Sequence, residues 1–420
     1  MDKILVHGGK RLSGHVRISG SKNSALPILA ATLLTREPCT IGRIPDLSDI
    51  HYMLTILQHL GCEVERASGK VTVHAANLRS TETPYDIVRK MRASVCVMGP
   101  LLGRERIVTA SLPGGCVIGD RPIDLHLKGF AALGAEVVNR AGNMEVRAER
   151  LRGSKVNLRG KFGSTVLGTG NVMMAAVLAE GQTVIEGAAE ELEVADLANF
   201  LTKMGANIEG AGTNRIVIEG VKELRGATHN VIADRIEAGT FMVAAAMCGD
   251  GVTLHRVHPS HLAHVIETLR EIGTEISEHG NTITVKPGAA HRAAKVDTRP
   301  YPDFPTDMQA QMCAMLATVP GISVITDNIY PQRFMYVSEL KRMGANIEMQ
   351  GATAVVNGVT SLDGAPVMAS DLRASAALVL AGLTATGTTE INRVYHIDRG
   401  YENIDDKLNM LGADIERVKA

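Results

Sequence analysis

A cysteine on a glycine-rich loop has the most unusual surroundings of any potentially reactive residue in this chain. Cys116 lies in segment 111–122, which also carries Gly114, Gly115 and Arg121, whereas the other five cysteines lie in apolar runs or at strand starts. A thiol near an arginine is a candidate reactive group; the alternative is a surface cysteine in a turn. An ordinary thiol has a pKa of about 8.5 and stays mostly protonated near neutral pH, so Cys116 could act as an acid as well as a nucleophile.

Carboxylates stand at the start of three apolar helical segments, at Asp234, Asp307 and Asp371. Aspartate is a favourable helix N-cap, so each of these residues has a purely structural explanation. A capping carboxylate can also serve as a general base, because it faces the space in front of the helix. The sequence leaves both interpretations open.

Cationic residues recur near the same helix starts. Lys22 lies in Ser19–Ser24, which opens an apolar helix, and a helix N-terminus with a lysine suits an anion. The alternative is a Ser or Asn cap with an incidental lysine. An isolated arginine is usually a solvated surface charge, but five at similar positions indicate an anionic ligand with more than one charged group. These arginines are Arg92, Arg121, Arg333, Arg373 and Arg399.

A sixfold repeat supplies the elements that must position these residues. The pattern Gly-small-x-aliphatic begins at residues 61, 134, 205, 273, 344 and 412, at intervals of 73, 71, 68, 71 and 68 residues. The copies account for nearly all of the 420 residues. Such a fixed period is typical of a fold built from copies of one unit.

Each copy predicts two helices and about four strands. An amphipathic helix precedes the glycine, which we expect in the left-handed position that ends the helix, and a hairpin follows, as in Ile208–Ile218. A second helix series is rich in Ala and Met and almost uncharged, so we expect it to be buried, with sheets around it and a strand after most of its members. This series comprises Asn23–Leu34, Ala93–Leu102, Gly170–Leu178, Ile236–Met247, Met308–Val319 and Leu372–Leu383.

The repeat predicts an α/β fold but leaves the grouping of its copies open. Six units could close into one ring or divide into two groups of three. Periodicity alone does not decide between these arrangements.

Composition excludes several classes of protein. A net charge of −1, 3% aromatic residues and no Trp disfavour a nucleic-acid partner. Scattered cysteines without a CxxC pair indicate neither disulfides nor a zinc site, and phosphate loops of the dinucleotide or P-loop type are absent. We find no export signal and no apolar run long enough to span a bilayer, and we therefore expect a cytoplasmic protein without a membrane partner.

Eight segments of the chain carry a resemblance to a known family: Ile18–Asn23, Met91–Ser94, Leu112–Cys116, Arg121–His126, Phe304–Gln311, Arg333–Met335, Asp371–Ser375 and Tyr395–Glu402. They resemble the enolpyruvyl transferase family, and within it the enzymes that use UDP-N-acetylglucosamine. The resemblance runs from Leu5 to the C-terminus, and the Cys116 loop separates the chain from the enzymes that make 5-enolpyruvylshikimate 3-phosphate.

The resemblance implies an inside-out α/β barrel fold with two similar domains of three repeats each. One domain would hold residues 22–231, and the other residues 1–21 and 232–420. The active site would lie in the cleft between them.

The implied reaction transfers the enolpyruvyl group of phosphoenolpyruvate to the 3′-hydroxyl of UDP-N-acetylglucosamine, without a metal or organic cofactor. Cys116 would protonate C3 of phosphoenolpyruvate, Asp307 would take the hydroxyl proton, and Asp371 would assist in proton handling. Lys22, Arg121 and Arg399 would bind phosphoenolpyruvate, with Arg333 and Arg373 nearby, and Asn23 would position the sugar and the intermediate. The nucleotide sugar would contact Arg92, Arg121, Pro122, Ile123, Asp124, Leu125, Lys161, Gly163, Ser164, Asp307 and the backbone of Ile329.

The chain departs from the family pattern at residues 161–168, where Lys161-Phe162-Gly163-Ser164-Thr165 stands in place of a common Ser-Val-Gly-Ala-Thr. This departure keeps open a paralogue with another hydroxyl acceptor. A non-enzymatic scaffold of six repeats is a further alternative. We expect a monomer or a weak homo-oligomer.

We predict that Cys116→Ala lowers turnover by roughly 10²–10⁴, the usual contribution of a proton-transfer group. The variant should also resist alkylation by an epoxide. Steady-state phosphate release is the measurement, and turnover at the wild-type rate would remove Cys116 from the chemistry.

Overall fold

The structure of the protein, a computed structural model, describes residues 2–83, 85–88, 91–111, 123–140 and 142–419. The described residues fall into two compact units. Of the described residues, those within 2–19 and 233–419 form the split unit, and those within 20–111 and 123–232 form the inserted unit.

The helices fall into the two series that the sequence predicts, and short 3-10 helices precede or follow some of them. The α-helices are α1 Lys22–Ala31, α2 Ser48–His59, α3 Tyr85–Val88, α4 Met98–Glu105, α5 Asp124–Ala132, α6 Val166–Ala176, α7 Leu192–Lys203, α8 Arg235–Cys248, α9 Ala263–Ile272, α10 Gln309–Leu316, α11 Val337–Arg342, α12 Leu372–Thr384 and α13 Ile404–Met410. The 3-10 helices are Thr32–Leu34, Arg92–Val97, Pro259–Leu262, Thr306–Met308 and Val394–Arg399.

The strands are short, and an antiparallel hairpin of two strands follows each of α2, α5, α7, α9 and α11. They are β1 Lys3–His7, β2 Leu12–Arg17, β3 Cys39–Gly42, β4 Glu63–Ala67, β5 Lys70–His74, β6 Ile107–Ser111, β7 Glu136–Arg140, β8 Asn143–Arg147, β9 Lys155–Asn157, β10 Arg159–Gly160, β11 Gly163–Ser164, β12 Gln182–Glu186, β13 Asn207–Glu209, β14 Arg215–Glu219, β15 Thr228–Asn230, β16 Gly249–His255, β17 Glu275–His279, β18 Thr282–Lys286, β19 Lys295–Thr298, β20 Ile322–Asp327, β21 Asn346–Gln350, β22 Thr353–Asn357, β23 Pro366–Met368, β24 Thr388–Asn392 and β25 Asp414–Val418.

One sheet arrangement recurs in both units. An antiparallel hairpin pairs with the strand that follows a buried helix, and a parallel edge strand completes the sheet, as in β13-β14-β12-β9 and β21-β22-β20-β19. In the sheet β6-β8-β7, an isolated bridge between Glu82 and Thr109 takes the place of the parallel strand. Within the described residues these sheets stay separate and do not join into a closed barrel.

The Ala- and Met-rich helices form the centre of each unit. Nearly every residue of α1, α4 and α6 in the inserted unit is buried, and the same holds for α8, α10 and α12 in the split unit. In α9, by contrast, Val265, Ile266, Leu269 and Ile272 are buried and the polar residues face outward. The predicted α/β fold with buried central helices is confirmed.

The glycine of each repeat ends its helix as predicted. All six glycines have a positive φ, between 93° and 114°. A side chain would be strained in this left-handed region, which explains why the repeat places glycine there. The hairpin predicted within Ile208–Ile218 is also confirmed, by β13 and β14.

Two predicted helix starts are wrong by several residues. Residues 92–97 form a 3-10 helix, and α4 begins only at Met98, where the Gly99 N–H donates to Asn171 Oδ1 at 2.8 Å. Helix α6 begins at Val166 rather than Gly170, because the Thr165 hydroxyl accepts a hydrogen bond from the Gly168 N–H at 3.2 Å.

A buried carboxylate holds the end of each unit where the chain passes from one unit to the other. In the split unit, the Ser19 N–H donates to Glu237 Oε2 at 2.7 Å, and Lys407 Nζ donates to Glu237 Oε1 at 2.5 Å. In the inserted unit, the Ile232 N–H donates to Asp196 Oδ2 at 3.1 Å, and His229 Nε2 lies 2.9 Å from Asp196 Oδ1. Backbone amides that would otherwise be buried without partners are thereby satisfied.

Close backbone approaches fasten the hairpins to the ends of the buried helices. A Cβ atom at Gly220 would lie 1.6 Å from the Ala179 carbonyl oxygen, and one at Gly358 would lie 1.7 Å from that of Val319. The residue after each glycine donates back to the helix, Val221 N–H to Val177 O and Val359 N–H to Ala317 O, both at 2.8 Å. Only glycine permits this contact.

No helix among the described residues is both long enough and apolar enough to cross a membrane.

We predict that Gly220→Ala lowers the free energy of unfolding by about 1–3 kcal/mol or more, because the added methyl group would overlap a carbonyl oxygen that cannot move alone. The matched control is Gly170→Ala within α6, where the new Cβ meets only the tip of Leu197 at 3.2 Å. Urea unfolding of the two variants is the measurement. Equal stabilities would contradict the prediction.

Candidate functional site

Three of the predicted site residues form one ionic cluster in the split unit. Arg333 Nη1 donates to Asp307 Oδ1 at 2.7 Å, and Arg373 Nη2 donates to Asp307 Oδ2 at 3.1 Å. The arginine side chains are 7% and 2% exposed, and the aspartate side chain is 26% exposed. Neither Arg333 nor Arg373 is therefore a solvated surface charge.

The position of Asp307 explains its electrostatics. It lies in the 3-10 turn Thr306–Met308 that leads into α10, and Pro305 occupies the N-cap position without a side-chain bond. Interpreting Asp307 as a helix cap is therefore wrong. Burial alone would raise the pKa of its carboxyl, but the charges of Arg373 and Arg333 outweigh burial and hold that pKa well below its usual range.

Capping is confirmed for the other two aspartates. The Asp371 carboxylate accepts hydrogen bonds from the Arg373 N–H at 2.8 Å and the Ala374 N–H at 3.1 Å at the start of α12. Asp234 caps α8 in the same way, through Ile236 and Glu237. Because one of these bonds comes from the backbone N–H of Arg373 itself, Asp371 fixes the start of the helix that carries this arginine.

A buried aspartate that the sequence analysis missed organises the loops around this cluster. Asp327, at the end of β20, is fully buried. Its carboxylate accepts from the Thr306 hydroxyl at 2.6 Å, from the Ile329 N–H at 2.9 Å and from the Tyr330 N–H at 2.8 Å. An Asp-Asn pair after an apolar strand is a turn signal that could have identified it.

Arg399 lies in a neighbouring turn of the split unit. It ends the 3-10 helix Val394–Arg399, which packs against α12, and it is half-buried. Burial lowers the pKa of His396, and the charge of Arg399 lowers it further. A Cβ atom at Gly400 would lie 2.3 Å from Leu372 Cδ1, so this segment places Arg399 near the start of α12.

Lys22 forms an ion pair in the inserted unit. It is the first residue of α1, which Ser21 caps by accepting from the Ser24 N–H at 3.3 Å. Lys22 Nζ lies 3.2 Å from Asp49 Oδ2, and both side chains are almost fully buried. The predicted cap is confirmed at Ser21, but the lysine is a buried paired cation rather than an incidental one. Asn23, the next residue, is half-buried.

The predicted nucleotide-sugar residues of the inserted unit lie on two neighbouring elements. Strands β10 and β11 form a hairpin with Lys161 and Phe162 at its tip. A Cβ atom at Gly160 would lie 3.0 Å from Leu125 Cδ1, so the hairpin packs against the first turn of α5. Ile123 and Asp124 precede and begin this helix, and Gly163 and Ser164 form β11.

The tip of this hairpin exposes an aromatic ring. Phe162 is 52% exposed, and Lys161 Nζ lies 5.2 Å from its ring centroid. The tip thus combines an apolar face with a positive charge.

Arg92 lies near a buried histidine. It begins the 3-10 helix Arg92–Val97 and is half-buried. Burial, with a further contribution from the charge of Arg92, lowers the pKa of His126 to about 3. His126 Nδ1 lies 2.9 Å from Asn171 Nδ2 and accepts its hydrogen bond as a neutral ring.

The predicted sites in segment 112–122, at Cys116, Arg121 and Pro122, lie outside the described residues. The other five cysteines are free and buried, as predicted. Burial raises the pKa of Cys39 to about 11 and that of Cys62, Cys96, Cys248 and Cys313 to about 12, so these thiols are unreactive. Within the described ranges, no group of three or more His, Cys, Asp or Glu side chains could hold a metal ion.

Fold and side chains together define an α/β protein of six repeats whose two units each hold cations near the starts of buried helices. The sequence model of the EPSP synthase (3-phosphoshikimate 1-carboxyvinyltransferase) family matches residues 6–408. The chain belongs to this family of enolpyruvyl transferases.

Full-length relatives identify the branch of the family that the chain resembles. It is 62% identical to the UDP-N-acetylglucosamine 1-carboxyvinyltransferase of Akkermansia muciniphila, over 100% of this chain and 99% of the relative. It is 56% identical to the enzyme of the same name from Methylacidiphilum infernorum, with the same coverage.

A solved structure shows the same fold at low sequence identity. The enolpyruvyl transferase NikO from Streptomyces tendae superposes with a TM-score of 0.90 at 24% identity, over 100% of this chain and 99% of that one.

We predict that Arg333→Met raises the pKa of Asp307, because one of the two cations that stabilise its carboxylate is lost while Arg373 remains. The measurement is the pH dependence of the carboxyl ¹³C shift in protein labelled at aspartate. The control is Arg342→Met, which removes an exposed arginine from its pair with Glu339 elsewhere in the split unit. An unchanged pKa in Arg333→Met would contradict the electrostatic interpretation.

Proposed function

We propose that the protein is an enzyme that transfers the enolpyruvyl group of phosphoenolpyruvate to the 3′-hydroxyl of UDP-N-acetylglucosamine and releases phosphate. This reaction is the first committed step of peptidoglycan precursor synthesis. The observation that carries the proposal is the full-length match to relatives of this name at 62% and 56% identity. The Asp307 cluster and the Lys22 pair supply the charges that such a reaction needs.

The anionic substrate requires permanent positive charge. Phosphoenolpyruvate carries a phosphate and a carboxylate, and arginine stays protonated at any working pH and binds such groups with two parallel hydrogen bonds. We assign Lys22, Arg121 and Arg399 to phosphoenolpyruvate, with Arg333 and Arg373 nearby. In the free protein Lys22 already holds Asp49 and Arg333 already holds Asp307, so a substrate anion must share or displace these carboxylates. Arg373 also holds Asp307, but only through Nη2.

The addition step forms a bond between the acceptor 3′-oxygen and C2 of phosphoenolpyruvate. In our assignment, Cys116 delivers a proton to C3 and Asp307 accepts the proton of the hydroxyl, while Asp371 assists in proton handling. The product of this step is a tetrahedral phospho-ketal, which Asn23 would position. In the second step, C3 loses a proton, the C2–C3 double bond re-forms, and phosphate leaves with the electrons of its C–O bond.

The low pKa of Asp307 limits when it can act as a base. While both arginines hold its carboxylate, it binds a proton weakly. A substrate anion that draws the arginine charge toward itself would raise the basicity of Asp307 when substrate is present. This coupling would suit a base that acts only in the filled site.

The nucleotide sugar is assigned to both units. In the inserted unit we assign it to Arg92, the segment Arg121–Leu125, and Lys161, Gly163 and Ser164; in the split unit, to Asp307 and the Ile329 backbone. The contact between the hairpin and the first turn of α5 supports grouping the inserted-unit residues. The Ile329 N–H already donates to Asp327, so its carbonyl is the group left for the ligand.

The alternative is an enolpyruvyl transferase that acts on a hydroxyl acceptor other than UDP-N-acetylglucosamine. The exposed Phe162 at the hairpin tip departs from the common family sequence and changes the surface offered to a ligand. An enzyme with this segment could prefer another nucleotide sugar.

We further propose that the enzyme works in a reducing cytoplasm, as a monomer or weak homo-oligomer. The five described cysteines are all free thiols, which supports a reducing compartment.

We predict phosphate release from phosphoenolpyruvate only when UDP-N-acetylglucosamine is present. The assay compares this sugar with other nucleotide sugars and with shikimate 3-phosphate. In the same assay, Asp307→Asn should lower turnover by roughly 10²–10⁴, the usual contribution of a proton-transfer group. Release with another acceptor alone would favour the paralogue. Release from no acceptor would refute the proposed reaction.

A further inference from the structure

A buried tyrosine lies beside the Asp307 cluster and has no role in the reaction described above. Tyr401 is 2% exposed and follows the 3-10 helix that ends at Arg399. Its hydroxyl lies 2.9 Å from Thr240 Oγ1, on α8, and 3.2 Å from Gln311 Nε2, on α10. One side chain thus links two of the three central helices of the split unit.

Counting hydrogens fixes the direction of these bonds. The Thr240 hydroxyl donates its only hydrogen to the Ile236 carbonyl at 2.8 Å, so the Tyr401 hydroxyl must donate to Thr240. The Tyr401 oxygen can then accept from the Gln311 amide, whose two hydrogens are shared among Tyr401, Thr240 Oγ1 at 3.1 Å and a backbone carbonyl. That amide also lies 3.0 Å from the Asp307 carbonyl oxygen, so the tyrosine is tied to the backbone that carries Asp307.

The ring of Tyr401 contacts the third central helix through Arg373. The Arg373 Cζ atom, on α12, lies 5.4 Å from the ring centroid. A buried guanidinium loses its hydration, and an aromatic ring at this distance recovers part of that loss. With its hydroxyl held by Thr240 and Gln311, the ring is a fixed surface against which the guanidinium rests.

The Arg373 guanidinium uses only part of its hydrogen-bonding capacity within the protein. Its Nη2 donates to Asp307 Oδ2 at 3.1 Å. Its Nε and Nη1 are buried, and among the described residues they have no partner in hydrogen-bond geometry, although the Tyr401 side chain lies close enough to interact with the guanidinium electrostatically. Buried donors of a charged group without partners are costly, so they indicate a ligand that supplies acceptors.

We propose that Tyr401 is a positioning residue that holds the Arg373 guanidinium with one nitrogen on Asp307 and its Nε and Nη1 directed to an anionic group of phosphoenolpyruvate. This inference rests on the proposed function and deepens it. Tyr401 acts through Arg373 and touches no reacting atom. Thr240 and Gln311 act one step further back, because they fix the tyrosine hydroxyl.

The test compares Tyr401→Phe with wild type. The variant keeps the ring but loses the hydroxyl that locks it, so the Arg373 guanidinium gains freedom. We expect the KM for phosphoenolpyruvate to rise about three- to tenfold, the range of one lost hydrogen bond, with little change in kcat or in the KM for the acceptor. Thr240→Val, which removes the acceptor of the same hydroxyl, should shift the KM in the same direction.

The matched control is Tyr336→Phe. Tyr336 is a tyrosine of the split unit that is equally buried, but its hydroxyl lies near the Cys313 thiol and makes no hydrogen bond to Thr240 or Gln311. It should leave the KM for phosphoenolpyruvate unchanged. An unaltered KM in Tyr401→Phe and Thr240→Val, or an equal rise in Tyr336→Phe, would overturn the positioning role.

Calorimetric titration with phosphoenolpyruvate separates this proposal from the proposed reaction. If wild type releases no phosphate with any acceptor, the reaction is refuted, yet weaker binding in Tyr401→Phe than in Tyr336→Phe still supports the positioning role. A wild-type protein that does not bind phosphoenolpyruvate overturns both.

Discussion

The burial of helices without a polar face is the constraint on which the rest of the structure depends. Helices such as α8 and α12 have almost no exposed residue, so sheets must cover them, and only their ends can meet polar groups. The free N–H groups at a helix start attract negative charge. The carboxylates of Asp234 and Asp371 supply this negative charge at two helix starts. The cations that balance the carboxylates near these helix starts are buried there as well. The polar chemistry of each unit is thereby concentrated at helix starts.

Each described cluster assigned to substrate anions holds its cations in protein ion pairs. Lys22 pairs with Asp49, and Arg333 and Arg373 pair with Asp307. Buried charges left without a counterion cost several kcal/mol. The free protein avoids this cost with its own carboxylates, so an incoming anion must share these cations with the carboxylates or replace them.

The sequence predicts the fold well because each repeat carries its own signals. Uncharged Ala- and Met-rich runs predict the buried helices, and the glycine that ends each amphipathic helix predicts a left-handed residue, as found at Gly205 and its five equivalents. Local sequence patterns do not predict the residue at which an α-helix gives way to a 3-10 helix. Residues 92–97 depend on Asn171, more than 70 residues away in the chain, whose side chain satisfies the Gly99 amide.

The sequence predicts which residues belong to the candidate site, but not which of them form ion pairs with each other. Residue type and position identify Asp307, Arg333 and Arg373, yet the sequence does not reveal that both arginines bind the same carboxylate. Asp49 and Asp327 were missed, because their partners come from separate elements and no short motif joins them. Tertiary contacts set both the pairing and the resulting pKa of Asp307.

The placement of β1 and β2 has a consequence for how the chain is made. These N-terminal strands pair with residues far along the chain: Ile4 lies opposite Ile391, and Leu12 lies opposite Gly249. A ribosome releases all of the inserted unit before it releases the partners of β1. The inserted unit can therefore complete its core during synthesis, while β2 waits for β16 and β1 waits for β24 and β25 near the end of translation. During that interval the edges of these N-terminal strands stay open, and open strand edges can pair with other chains.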